Sequence, residues 1–279
     1  MTRREALNYA RHLFSARKIE DASLEAELLL RHTLKIDRSS LFAGPDTELT
    51  KEQETDFCCK LQLRLKGMPS AYITGIREFY GLEFYVDSNV LIPRPETELL
   101  VEKTIEIARK FPSPIIADIG TGCGNIAISL ALNLPRAKIY AVDISNKALD
   151  VARYNCGRHN VGERIQLYEG DLLEPLPEPV DIIIANLPYV RTADLPSVNT
   201  SGYEPRLALD GGEDGLDVIR RLCAQVKGKL KPGGSLLLEI GLGQKDVLVN
   251  FLLGLFRKAK IESFQDLAGI DRVVYMTRR

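Results

Sequence analysis

The chain carries almost no net charge: its 279 residues include 37 lysines and arginines against 38 aspartates and glutamates, a formal charge of −1. No strong field favours a polyanion or an acidic membrane, which counts against nucleic-acid binding by charge alone. No stretch approaches the roughly 20 apolar residues that a membrane helix needs. The first residues, Met1-Thr2-Arg3-Arg4-Glu5, lead into mixed polar sequence rather than an apolar leader core. The chain reads as soluble, unexported and cytoplasmic. Cys58, Cys59, Cys123, Cys156 and Cys223 contain no C-x-x-C pair, and His12, His32 and His159 lie far apart. Such spacing indicates neither a disulfide framework nor a metal site, and each cysteine reads as a small buried hydrophobe in a reducing compartment. No internal repeat is visible. What remains is an ordinary globular mixture, 45% apolar and 27% charged, long enough for one large domain and a small companion.

Residues 1–70 read as a helical bundle. Thr2 and Glu5 have capping-box spacing ahead of Ala6, Leu7, Ala10, Leu13 and Phe14, which recur every three or four residues up to about Ala16. Asp21 or Ser23 is placed to cap a second helix, with Leu24, Leu28 and Leu29 at helical spacing. After the Gly44-Pro45-Asp46 break, Thr50 and Gln53 repeat the box before Phe57, Leu61 and Leu65. The bundle has no catalytic constellation of its own and is read as a substrate-recognition domain, with a structural cap as the alternative, because a small domain beside an enzyme core commonly shapes its cleft.

Residues 71–92 read as a β-hairpin connector, with strands at Ala71-Tyr72-Ile73-Thr74 and Glu83-Phe84-Tyr85-Val86 beside Gly75 and Gly81. Residues 93–279 are read as the catalytic domain. A helix through Leu99 and Ile105 is followed by strands and helices in alternation, with strands at 114–119, 138–143, 165–168, 180–185 and 235–239. That alternation predicts an α/β fold, a doubly wound and mostly parallel sheet with helices on both faces. The closing pair, near 259–264 and 272–277, is joined by too short a connection for a crossover helix, so the last strand is predicted to run antiparallel.

The first βα turn is Asp118-Ile119-Gly120-Thr121-Gly122-Cys123-Gly124-Asn125. Its glycines allow a tight turn and close approach of a ligand at a helix start. A dinucleotide fingerprint needs its third glycine at position 125, which is Asn125. The spacing instead resembles the S-adenosylmethionine loop of class I methyltransferases, a Rossmann-like fold, in which the acid ahead of the loop helps to hold the methionine end. Asp143, which closes the next strand, is placed to accept from ribose hydroxyls. By the same resemblance Asp171 is a candidate for the adenine amino group and Leu172 for the face of the ring.

Asn186-Leu187-Pro188-Tyr189 follows the fourth strand, where an open sheet binds ligands. An amide or ring amine is a poor nucleophile because its lone pair is delocalised. Catalysis must place its N–H groups on acceptors and aim the nitrogen at the electrophile, which is positioning and electrostatics. The Asn186 side-chain oxygen and the Leu187 carbonyl are the candidate acceptors, Pro188 shapes the turn, and Tyr189 offers a flat face to a planar substrate. No residue pattern indicates a general base with a shifted pKa, and the proton can leave after transfer.

The tetrad resembles the N-P-P-Y signature of methyltransferases acting on glutamine amides and exocyclic base amines, with Leu187 at the first proline position. N-L-P-Y also occurs in enzymes that dimethylate ribosomal RNA adenines. The wider sequence resembles the HemK family, the glutamine methyltransferases of peptide chain release factors. This resemblance rests on Leu91-Ile92-Pro93-Arg94-Pro95-Glu96-Thr97-Glu98, on residues 69–75 and 204–212, on Leu238-Glu239-Ile240-Gly241 with Gln244, and on residues 266–272. It covers essentially residues 20–279. It implies methyl transfer from S-adenosylmethionine to the glutamine amide of a Gly-Gly-Gln loop in release factors, with no nucleic acid required for the reaction and no metal. Two other readings remain at this point: a nucleic-acid amine methyltransferase, which would show salt-steep binding, and a non-catalytic nucleoside-binding or assembly factor, which would have no use for Asn186 and Tyr189.

Overall fold

The computed structural model describes residues 1–198 and 202–278. The chain separates into two compact units, Met1–Ile76 and Arg77–Arg279. In the first, both capping boxes form. Thr2 Oγ1 accepts the Glu5 amide and Glu5 accepts the Thr2 amide at the start of α1 (Arg3–Ala16), and Thr50 and Gln53 do the same for α4 (Lys51–Leu65). Helix α2 (Ala22–Leu34) starts differently. Asp21 takes a left-handed conformation and makes no side-chain cap bond, while Ser23 accepts from Arg11. The buried stripe of α2 is Ala26, Leu29 and Leu30, and Leu24 and Leu28 are exposed. A further short helix, α3 (Arg38–Ala43), is capped by Asp37 accepting the Ser40 amide. The core joins Ala6, Ala10 and Phe14 of α1 to Leu29 and Leu30 of α2 and to Phe57 and Leu61 of α4.

The expected strand at 71–74 is a helix, α5 (Ser70–Thr74). The β-branched run Ile73-Thr74 is overridden locally: Pro69 opens the turn, the Thr74 hydroxyl donates back to the Ser70 carbonyl, and Gly75 ends the turn at φ +69°. The hairpin therefore begins later than the sequence suggests, as β1 (Ile76–Phe79) and β2 (Leu82–Tyr85). They are joined at Tyr80-Gly81, both with positive φ.

The second unit is built on a seven-stranded sheet. In chain order its elements are α6 (Thr97–Ala108), β3 (Ile115–Ile119), α7 (Asn125–Asn133), β4 (Lys138–Asp143), α8 (Asn146–Arg158), β5 (Ile165–Glu169), β6 (Val180–Ala185), α9 (Leu195–Val198), α10 (Asp217–Lys229), β7 (Leu230–Glu239), α11 (Lys245–Leu255), β8 (Lys260–Gln265) and β9 (Asp271–Thr277). Strand order is β5-β4-β3-β6-β7-β9-β8. The first five are mutually parallel, and β9 runs antiparallel between β7 and β8. Strands β3 and β6 are almost wholly buried, as their apolar runs require of a sheet covered on both faces. The chain winds outward from β3 through β4 to β5 and returns to β6 on the other side of β3. This reversal opens a crevice at the carboxyl ends of β3 and β6, the general ligand position of open α/β sheets. Three cysteines, Cys123, Cys156 and Cys223, are buried as small hydrophobes, whereas Cys58 is half-buried and Cys59 exposed on the outer face of α4.

Candidate active site

A cavity occupies that crevice. Its walls include the turn after β3 (Gly120, Thr121, Gly122 and Cys123), Asp143 after β4, Asp171 and Leu172 after β5, and Asn186, Leu187 and Pro188 after β6. Four strand ends thus bring most of the sequence-predicted residues together. Two are elsewhere. Asp118 lies beneath the glycine turn and Tyr189 behind the tetrad, and neither lines the cavity.

The glycine turn is tied to β4 by the Gly120 and Thr121 amides, which donate to the Val142 carbonyl at 2.8 and 3.0 Å, and by the Gly122 amide, which donates to Asp143 Oδ2 at 2.9 Å. Gly120 is required twice over. It sits at φ +74°, and an added Cβ would stand 3.0 Å from Leu187 Cδ2. Asp118 is fully buried, with Oδ2 accepting from Thr121 Oγ1 (2.6 Å) and the Ala127 amide (3.2 Å), so it fastens the turn to α7. Among the described residues its buried Oδ1 has no hydrogen-bond partner. Burial, aided by the charge of Asp143, pushes its carboxyl up to about 7. Burial likewise pushes the Cys123 thiol up to about 12, which keeps it protonated and excludes a thiolate role. Asp143 accepts the Gly122 and Ser145 amides on different oxygens and lines the cavity. Asp171 pairs with Arg221, which also lines the cavity.

Asn186 Nδ2 donates to Thr97 Oγ1 at 3.0 Å, leaving Oδ1 as the free acceptor at the cavity wall. The Leu187 side chain is buried against Gly120 and the sheet core, so this position contributes packing as well as a carbonyl. Leu187→Pro removes about one buried carbon, worth roughly 0.8 kcal/mol. It breaks no loop hydrogen bond, because the bonds of this loop run from the Val190 and Thr192 amides. A small drop in melting temperature and a kcat within about five-fold of wild type are expected; steady-state kinetics with a calorimetric scan checks both.

Tyr189 is placed otherwise than the sequence suggests. Its ring packs near Gly241 and its hydroxyl donates to Glu239 Oε1 at 3.3 Å, so it anchors the tetrad from behind instead of lining the cavity. Burial and the neighbouring Glu239 raise its pKa. Gln244 Nε2 donates to the Tyr189 carbonyl (2.9 Å) and its Oε1 accepts the Gly241 amide (2.8 Å). Glu239 is itself 1% exposed, and burial pushes its carboxyl up to about 7 against the opposing influence of Thr97, Tyr189 and Arg272. Two carboxyls with strongly shifted pKa values therefore exist, but neither touches the cavity, so neither is placed as a general base. Because the folded pKa of Glu239 lies above its unfolded value of 4.5, the folded state holds the proton more tightly. The associated stability is present at low pH and is lost as pH rises toward about 7. Glu239→Gln should consequently melt several degrees above wild type at about pH 8, and the gain should shrink toward pH 5, as pH-dependent thermal unfolding will read.

Several contributors had sequence signals but no assigned role: Thr97 and Glu98 in the proline block, Glu204 in the 204–212 block, and Glu239 and Gln244 near the end of β7. Glu98 accepts the Tyr80 amide at the hairpin turn (2.8 Å), and Glu204 pairs with Arg94 (2.6 Å) and accepts the Ile92 amide. Asn155 carried no signal. It is fully buried, accepts the Tyr85 amide, and donates to the Tyr85 and Cys123 carbonyls, tying hairpin to glycine turn.

The strand order, the antiparallel β9 and a cavity walled by the turns after β3 to β6 define the class I methyltransferase fold. A methyltransferase from Pyrococcus furiosus shares it, with a TM-score of 0.54 at 16% identity over 82% of this chain and 98% of that one. Residues 5–75 match the family described as PrmC N-terminal domain and residues 95–199 the methyltransferase small domain. The release factor glutamine methyltransferase of Moorella thermoacetica is 42% identical, with 100% of this chain and 99% of that protein covered. That of Geobacter sulfurreducens is 41% identical, with 98% and 95% covered. The chain belongs to the release factor glutamine methyltransferase family.

Proposed function

We propose that this protein transfers a methyl group from S-adenosylmethionine to the side-chain amide nitrogen of the glutamine in the Gly-Gly-Gln loop of a peptide chain release factor. The observation that carries the reading is Asn186: it stands at the topological switch point with its Nδ2 already bonded to Thr97, so only an acceptor faces the cavity. An acceptor alone suits a substrate that arrives as an N–H donor. The family's named activity supplies the identity of that donor.

The cavity residues fit the cofactor. Asp143 and Asp171 offer carboxylate oxygens, Leu172 and Leu187 offer apolar faces, and Gly120 keeps the floor free of a Cβ. Asp118, beneath the turn, would act on the cofactor only by fastening the glycine turn to α7. When bound, the sulfonium supplies an electrophilic methyl group. Asn186 Oδ1 and the Leu187 carbonyl would accept the two amide hydrogens of the substrate and orient its nitrogen, and Pro188 would hold the turn. Cys123, Thr121 and Gly122 would shape the wall around the cofactor, and Gly124 would start α7 behind it.

The first unit, whose described residues contribute none of this cavity's wall, is read as the recognition domain; it exposes Tyr9, Leu24 and Phe42. Among the described residues no helix is long and apolar enough to cross a membrane, which supports a cytoplasmic setting beside release factors. Incubation with methyl-labelled S-adenosylmethionine and, separately, release factor or ribosomal RNA tests the reading. Label on the release factor supports it, label on RNA replaces it with the nucleic-acid reading, and no label on either supports a non-catalytic role.

A further inference from the structure

Beyond the cofactor residues the cavity has a second side. Gly120 to Cys123, Asp143 and Asp171 stand on the turns after β3, β4 and β5, to one side of the switch point, and Asn186 and Pro188 stand after β6 on the other. Two further segments wall this second side. A one-turn 3-10 helix, Arg206–Ala208, supplies Leu207 and Ala208, with Pro205 just ahead of it, and the stretch before α6 supplies Leu91 and Pro93. Backbone bonds seat the first segment beside the tetrad: the Val190 amide donates to the Leu209 carbonyl at 3.0 Å, and the Gly211 amide to the Val190 carbonyl at 2.8 Å. Glu204 ties it to the second segment by accepting the Ile92 amide (3.2 Å) and Arg94 Nη2 (2.6 Å).

Leu207 lines this cavity and yet is 60% exposed. A scattered surface leucine is ordinary, but one at the mouth of a cavity beside proline, alanine and a second leucine is apolar surface that a bound chain would cover. The turn that carries it is held firmly. Asp210 accepts from Thr192 Oγ1 (2.6 Å), Arg206 Nη2 (2.9 Å) and the Gly212 amide (3.1 Å), so Leu207 is presented in a fixed place and contact with it costs little ordering entropy. Charges in the cavity wall are matched within the protein: Arg94 with Glu204, Asp210 with Arg206, and Asp171 with Arg221. Paired charges and apolar groups suit a partner segment that brings no net charge of its own.

We propose that Leu207 is a specificity-determining residue, which packs on the main chain of the substrate loop beside the glutamine. The proposal rests on the amide-transfer reading above. A glycine-rich loop fits the position, because a main chain bare of Cβ atoms can lie against Leu207 while the glutamine side chain reaches Asn186. A phosphodiester chain would instead set charged oxygens against leucine and lose their hydration. Leu207 does not touch the reacting nitrogen, so its contact is equally strong before and during transfer and acts on KM. Asn186 holds the amide itself and acts on kcat.

The test is steady-state methylation of a release factor, with the Kd for S-adenosylmethionine measured by calorimetry on each variant. Leu207→Ser should raise KM for the release factor by roughly 10-fold, the scale of an apolar side chain taken out of contact, with kcat within about three-fold of wild type and cofactor Kd unchanged. Leu207→Met, which keeps the apolar reach, should return KM to within about two-fold. Leu267→Ser is the control: this leucine is fully exposed on the turn between β8 and β9, outside the cavity wall, and its loss should leave all three constants unchanged. A Leu207→Ser KM equal to that of wild type, a cofactor Kd that rises with KM, or a loss confined to kcat would each overturn the proposal and leave the amide-transfer reading standing. Methyl transfer by wild type to ribosomal RNA, or to neither substrate, would overturn that reading and the proposal together.

Discussion

Asn186→Ala is expected to reduce methyl transfer by at least ~10³-fold while cofactor affinity stays within a few fold. The side chain supplies an acceptor in the cavity wall, and its other end is held by Thr97 at 3.0 Å. Alanine deletes that acceptor, so a planar amide entering the cavity has one of its hydrogens unmatched and its nitrogen unaimed. The nucleoside wall is left intact, since Asp143 and the glycine turn are held by backbone bonds to β4 in which Asn186 has no part. Single-turnover kinetics and calorimetric titration of S-adenosylmethionine separate the two quantities. A variant that binds cofactor normally and still turns over within ten-fold of wild type would remove Asn186 from the centre of the mechanism.

Gly215→Ala is the second large effect, and its origin is packing rather than chemistry. Gly215 sits at φ +79°, and an added Cβ would lie 2.2 Å from the Tyr189 carbonyl oxygen and 2.5 Å from Gln244 Nε2. Neither neighbour can yield cheaply, because Gln244 holds that carbonyl at 2.9 Å and the Gly241 amide at 2.8 Å. Left-handed strain of about 1–2 kcal/mol adds to overpacking of about 1–3 kcal/mol. Relief must come from moving Tyr189 and with it the tetrad, so a fall in kcat of about 10²-fold accompanies the loss of stability. Gly233→Ala is the matched control. It has nearly the same positive φ, at +76°, but no atom within 4 Å of the added Cβ, so it should show the strain and no kinetic defect.

These effects bear on what could be read before the structure was known. Strands β4 and β6 begin and end where their apolar runs do, because burial on both faces leaves no ambiguity of period. Residues 71–74 are not a strand because a four-residue segment has too little pattern to outweigh a proline start and a glycine stop. In α2 the leucines at 24, 28, 29 and 30 offered two stripes, and only packing against α1 and α4 chose the one containing Leu29 and Leu30. The glycine turn and Asn186 were legible because their chemistry is local to a strand end. Tyr189 and Asp118 lie beside the cavity without lining it, held by what lies behind them: Glu239 for the first, the α7 amide of Ala127 for the second. Thr97 and Asn186 stand far apart in sequence and bond only because α6 packs against the end of β6, so no spacing rule could have joined them.

The most direct measurement is the mass and position of modification on a release factor incubated with this protein and S-adenosylmethionine. The account predicts one added methyl group, on the side-chain amide nitrogen of the Gly-Gly-Gln glutamine, present with wild type and absent with Asn186→Ala. An unmodified glutamine, or a methyl group appearing instead on ribosomal RNA, would contradict it.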